Sequence, residues 1–165
     1  MPKKPLGFDP IDEAARQWGL RWKAVEQMHA VTSLMRVQQL VLAELDELLR
    51  PHGLTFARYE ALVLLTFSRA GSLPLGKMGE RLQVHPTSVT SIVRRLEAAG
   101  LVTRRAHPED GRAVLAEITA AGRDLVERAT RDLVDADFAL GALTDGDLET
   151  LSALLTPVRK AAGDF

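Results

Sequence analysis

Apolar residues return at helical spacing along most of this chain. From Trp22 to Arg50 they fall at Val25, Met28, Val31, Met35, Leu42, Leu45 and Leu49, which predicts one long helix ended by Pro51 and Gly53. Ahead of it, Asp9 reads as an N-cap and Pro10 as a first helical position, so a short helix is predicted to about Trp18. Thr55 is placed to cap a helix running to about Arg69. Its residues Phe56, Tyr59, Leu62, Val63, Leu65 and Phe67 are apolar nearly all round, which predicts a buried helix. Ala70 to Pro74 reads as a loop, and Leu75, Met78 and Leu82 mark a short helix weakened by Gly76 and Gly79.

After the tight connection Gln83-Val84-His85, a helix is predicted from Pro86 to about Ala99, with His85 as N-cap and Gly100 closing it. LVTRR and VLAEI are short, β-branched and partly alternating. Ala106 to Ala113 between them holds Pro108 and Gly111, so the three pieces read as a β-hairpin with a long tip. Thr119 caps a helix predicted to about Leu140. Thr144 with Asp147 resembles a capping box for a last helix striped by Leu148, Leu151, Leu155 and Val158. The predicted fold class is mainly α with a small β-hairpin, the hairpin strands being the only two.

The helix from Pro86 asks for a further explanation. At 100° per residue, Ile92, Val93 and Leu96 fall within about 60° of Val89, and Thr87, Ser91, Arg94 and Ala98 within about 40° of the opposite direction. Thr90 and Arg95 flank that second face. A solvated face more often carries Glu, Lys and Gln in pairs of opposite sign. Short hydroxyls and arginines instead suit close approach to phosphates and base edges, and a helix of this width fits a major groove. With the short helix before it, the segment forms a helix-turn-helix. At the hairpin tip, Arg112 suits the negative potential of a narrow minor groove, and Asp110 could orient its guanidinium. The plainer alternatives are a Thr/Ser-rich surface helix and a local Asp110–Arg112 turn bridge with no partner.

Composition sharpens this. The net charge of −1 over 165 residues hides an asymmetry. Residues 77–112 carry seven Lys/Arg against four Asp/Glu, residues 1–76 nine against eight, and residues 113–165 five against ten. A basic middle beside an acidic final third fits a polyanion footprint confined to the middle, or equally a solvated charged face. With no cysteine there is no disulfide or thiolate switch, no apolar run approaches the ~20 residues of a membrane span, and MPKKPLGF lacks a signal peptide's apolar core, so a cytoplasmic protein is expected. His29, His52, His85 and His107 are scattered without metal-ligand spacing, and no cofactor is expected. No phosphate loop or nucleophile elbow occurs, and Ser68, Ser72 and Ser152 have no visible base, so no enzyme is expected. Trp18, Trp22, His29, Met35, Phe56, Arg58 and Tyr59 combine aromatics with a cation and could receive an aromatic acid, or be core residues with Arg58 on the surface.

The run L-x-x-M-x-x-R-L-x-V-H-P-T-S-V-T-x-x-V-x-R-L-E-x-x-G-L-V-x-R, from Leu75 to Arg104, is followed by P-E-D-G-R, V-L-x-E-I-T and A-G-R. In this ordered series the chain, over roughly residues 25–160, resembles the MarR family of winged helix-turn-helix regulators. Asp110-x-Arg112 matches that family's wing signature, and Thr119-Ala-Ala-Gly122 its entry to the following helix. The resemblance implies an extension over residues 1–21 and a MarR-type domain over 22–165. Within the latter it implies a winged helix-turn-helix core about 55–119 and dimerisation helices about 22–50 and 119–163. It implies a homodimer that binds a palindromic operator in double-stranded DNA, often to repress, with release by a small, often aromatic ligand. His85, Pro86, Thr87, Ser88, Thr90, Ser91, Arg94, Arg95, Asp110 and Arg112 are then the residues expected at DNA. Some relatives with an extra N-terminal helix sense aromatic anions, and the lack of cysteine excludes the thiol-based peroxide sensing of others. Two other readings remain: a winged helix docking a protein, which would favour aromatic and Met anchors on the Thr87–Arg95 face, and a metal-responsive regulator, which needs a ligand cluster.

Overall fold

In the computed structural model, which describes residues 6–108 and 113–165, the elements follow the apolar pattern closely. They are α1 (Pro10–Gly19), α2 (Val25–Leu49), a 3-10 turn (Arg50–His52), α3 (Phe56–Phe67), β1 (Ser72–Pro74), α4 (Leu75–Leu82), α5 (Pro86–Ala98), β2 (Val102–Ala106), β3 (Val114–Ile118), α6 (Ala120–Asp135), a second 3-10 turn (Asp137–Ala139) and α7 (Asp145–Ala161). The chain divides into two units, one ending at Glu44 and the other starting at Leu45.

The first unit holds α1 and most of α2. Asp9 accepts from the Ile11 amide at 2.7 Å, so the predicted cap and Pro10 start α1 together. Arg16 holds the Glu13 carboxyl down to about 2 by donating to it, helped by Gln17. The Trp18 indole donates to the Lys23 carbonyl at 2.8 Å, its ring sits 4.6 Å from that of Trp22, and His29 Nε2 lies 2.9 Å from Asp12 Oδ1. Along α2, Val31, Leu34, Met35, Val37, Leu40 and Leu42 are exposed.

The second unit has one core. Leu49, Leu62, Leu65, Met78, Val89, Val93, Leu96, Val102 and Leu133 are fully buried. α3 is one-sided rather than buried all round: Tyr59, Ala61, Leu62 and Leu65 are inside, while Phe67 is 81% exposed. Apolar composition alone could not tell the face a helix buries from the face it presents. Thr55 stands at the N-cap of α3 but makes no capping bond. Asp46, from the end of α2, accepts from the Phe56 amide at 2.7 Å and caps the helix from outside it.

Two further expectations are corrected. Ser72–Pro74 is a strand, not a loop, so the sheet has three strands in the order β1-β3-β2, all antiparallel. Three residues are too few to show alternation, and Pro74 and Gly71 read as loop. The pairing comes from β3, with Ser72 opposite Glu117 and Pro74 opposite Leu115, and an edge strand tolerates proline. Second, α6 stops at Asp135, short of the predicted Leu140. Asp137, Phe138 and Ala139 take positive φ values of 48°, 50° and 61°. Leu133 is the last fully buried residue of α6, and Val134 and Phe138 are exposed, so burial does not reward continuing the helix.

The junction between sheet and α6 is tight. The Thr119 hydroxyl accepts from the Gly122 amide at 3.0 Å and donates to the Gly100 carbonyl at 2.9 Å. A Cβ on Gly122 would stand 2.3 Å from the Leu101 carbonyl oxygen, so no larger residue fits there. The capping box of α7 forms as predicted, with Asp147 donating its amide to Thr144 Oγ1 at 3.3 Å and its carboxylate accepting from the Thr144 amide at 3.0 Å.

Candidate nucleic-acid interface

α5 is presented by what holds its two ends and one face. Val84 donates its amide to the Gly79 carbonyl at 3.2 Å, closing the turn that Gln83 makes in the left-handed conformation at φ 55°. His85 Nδ1 accepts from the Thr87 amide at 3.2 Å, as the expected N-cap, which places the ring proton of neutral His85 on Nε2. Pro86 occupies the first turn, where a missing N–H costs nothing. Val89, Val93 and Leu96 are buried and fix the helix rotation, so Thr87, Thr90 and Arg94 are exposed and Ser91 is half-buried. Pro86, Thr87, Thr90, Ser91 and Arg94 line one open groove. Of the face predicted from helical angles, Thr87, Ser91 and Arg94 share this surface with the flanking Thr90, while Arg95 lines a neighbouring groove.

The cations are used in two ways. Arg104 on β2 donates to Glu97 at 2.7 Å through Nε and 2.6 Å through Nη2, and this contact raises its pKa above the ordinary value. Arg105 pairs with Glu117 at 2.7 Å. Among the described residues, the arginines of β2 are neutralised by Glu97 and Glu117, whereas Arg94 and Arg95 of α5 have no such counter-ion.

Arg58, expected among the aromatics, stands elsewhere. It lines a second shallow groove with Thr55, Ser88, Ser91, Ile92 and Arg95. Its Nη1 donates to the Gly53 carbonyl at 3.1 Å and its Nε to Thr55 at 3.2 Å, which holds the guanidinium beside α5. Sequence reading missed this placement because Arg58 and Arg95 are 37 residues apart and only the packing of α3 on α5 joins them. The other residues of that aromatic set are divided between the two units. Tyr59 is buried with its hydroxyl 2.8 Å from Thr130 Oγ1, and Phe56 stacks on it at 6.1 Å. Met35 is 52% exposed on α2, where the first unit also holds Trp18, Trp22 and His29. Asp110 and Arg112 lie outside the described residues; β2 and β3, which lead to them, pair as far as Ala106 and Val114. Among the described residues no group of three His, Cys, Asp or Glu could hold a metal ion, and no helix is long and apolar enough to cross a membrane.

A short helix, a left-handed turn, a second helix with an outward polar face and an antiparallel hairpin after it make a winged helix-turn-helix. The MarR family model matches residues 57–114, the span from α3 to the start of β3. The HTH-type transcriptional repressor Rv2887 of Mycobacterium tuberculosis is 34% identical over 96 residues, 58% of this chain and 68% of its own. The crystal structure of Sco5413, a MarR family transcriptional regulator from Streptomyces coelicolor, is 56% identical and superposes with a TM-score of 0.80, covering 86% of this chain and 99% of that one. A mutant MarR from E. coli, complexed with operator DNA, is 25% identical with a TM-score of 0.71, covering 83% and 99% of the two chains. The chain belongs to the MarR family of transcriptional regulators, a class of DNA-binding protein rather than of enzyme.

Proposed function

We propose that this protein is a homodimeric repressor that reads an inverted-repeat operator in double-stranded DNA. The observation that carries the reading is the face of α5: Thr87, Thr90, Ser91 and Arg94 outward, Val89, Val93 and Leu96 buried behind them, and Arg94 and Arg95 without a counter-ion among the described residues. α5 enters the major groove, where its hydroxyls and arginines meet base edges and phosphates. His85, Pro86 and Ser88 approach the backbone at its N-terminus, and Arg58 adds a phosphate contact beside Arg95. Asp110 and Arg112, in the segment of sequence that joins β2 to β3, are the residues assigned here to the adjacent minor groove. A protein-docking role is disfavoured by the absence of aromatic or Met anchors on this face.

Pairing of two subunits through the terminal helices is supported by the exposed apolar residues of α2 and by Leu154 and Val158 on α7. Repression is supported by the name of the relative Rv2887, and DNA as partner by the E. coli MarR complex. Release by a small aromatic ligand is the finer part of the proposal, with Trp18, Trp22, His29 and Met35 offering aromatic and polar contact in the first unit. The protein works in the cytoplasm. Selection of bound sites from randomised DNA tests the whole. An inverted repeat with half-sites about one turn, ~10 bp, apart is expected. One asymmetric half-site occupied by one protomer overturns it.

A further inference from the structure

The end of α7 reaches the turn that precedes α5. Gly163, at φ 71°, closes the helix. Its amide donates to the Lys160 carbonyl at 3.1 Å, and the Asp164 amide donates to the Arg159 carbonyl at 3.1 Å. This doubled closure directs the Asp164 side chain back along the helix, where Oδ2 accepts from Arg159 Nε at 2.6 Å. The Arg159 guanidinium in turn lies 5.1 Å from the centre of the Phe165 ring. Asp164 Oδ1 and the Asp164 carbonyl both accept from the side-chain amide of Gln83, at 2.5 Å and 3.2 Å. The Asp164 side chain is only 25% exposed.

Gln83 is the residue whose left-handed backbone, φ 55° and ψ 39°, turns α4 into α5. Glycine adopts that conformation more readily, and a non-glycine residue there is uncommon. A glycine would make the turn but could not reach Asp164. The side chain at this position is the one α7 holds.

We propose that Gln83, Asp164 and Arg159 form a clasp that positions α5 for operator binding. The inference rests on the DNA-binding reading above. None of the three needs to touch DNA. They act through the angle at which the Gln83–His85 turn delivers α5, and fixing that angle beforehand removes part of the ordering cost of association. The clasp also makes any movement of α7 felt at the start of α5.

The test uses the full chain and the variants Gln83→Ala, Asp164→Ala and the double variant, each titrated against the selected operator and a nonspecific duplex. Each single substitution should weaken operator binding about three- to tenfold, the net range of one exposed hydrogen bond. Nonspecific binding should stay within about twofold, because no phosphate contact is removed. The double variant should be no weaker than the poorer single one, since the clasp breaks only once. Amide hydrogen exchange of residues 84–95, measured without DNA, should quicken in all three variants. Losses that multiply in the double variant, or unchanged exchange together with wild-type operator affinity, overturn the clasp. Should wild-type protein select no operator, the DNA-binding reading fails by itself, and unchanged exchange in the variants would overturn the clasp separately.

Discussion

Arg94 and Arg104 stand ten positions apart with the same side chain, and their neighbours give them different work. Glu97 neutralises Arg104, whereas Arg94 has no such partner among the described residues. Thr90 donates its hydroxyl to the Pro86 carbonyl at 3.1 Å and so keeps acceptor capacity and a methyl for a base edge. Thr90→Ala or Arg94→Ala should therefore change which bases are preferred, at roughly 1–3 kcal/mol for each base interaction removed. Arg112→Ala should weaken binding to all sequences and make the salt dependence shallower, by about one unit for each phosphate no longer neutralised. Titration of each variant against the operator, its single-base variants and nonspecific duplex, at several salt concentrations, measures both effects. If all three bind like the parent, the α5 face is not the reading surface.

At the scale of elements, two features invite direct measurement. The Asp147 carboxylate is held below its ordinary value of 3.8, first by the Thr144 hydroxyl and then by the Thr144 amide. Its pKa is depressed in the folded state, so its contribution is complete above 3.8 and disappears as pH falls through the folded value. The gap in melting temperature between wild type and Asp147→Ala should thus be constant near neutrality and narrow as the pH falls below 3.8; a gap that widens on acidification contradicts the capping box. The second feature is the Gly122 junction. Gly122→Ala places a Cβ 2.3 Å from a backbone oxygen and 2.8 Å from Ile118 Cγ1, where neither sheet nor helix yields cheaply. A destabilisation of about 1–3 kcal/mol is expected in denaturant unfolding. Gly146→Ala, in the first turn of α7 with nothing within 4 Å of the added carbon, should be neutral or stabilising by up to ~1 kcal/mol.

For the whole molecule the proposal is a dimer built from terminal helices. Val31, Leu34, Met35, Val37 and Leu40 of α2 are exposed in the single chain, as are Leu154 and Val158 of α7. Exposed apolar residues on this scale favour association. The protein should sediment as a dimer at micromolar concentration. Removing residues 144–165 should leave aggregated or unfolded chain. A soluble, folded monomer from that truncation would refute the proposed assembly.

Much of this was open to reading in one dimension because its causes are local. The stripe of Val89, Val93 and Leu96 and the opposing Thr87, Ser91 and Arg94 follow from helical periodicity alone. The caps at Asp9, His85, Thr119 and Thr144 follow from side chains bonding amides two or three residues away. Other features join residues far apart in the chain. β1 exists because β3 offers it hydrogen bonds across more than forty residues, and α3 is capped by Asp46 rather than by Thr55. Arg58 stands beside Arg95 because α3 packs on α5, and Gln83 meets Asp164 across 81 residues. No periodicity encodes such pairs. Local chemistry written in the sequence determined the order of side chains along each element, while burial and loop closure, which depend on the whole folded chain, decided which elements meet.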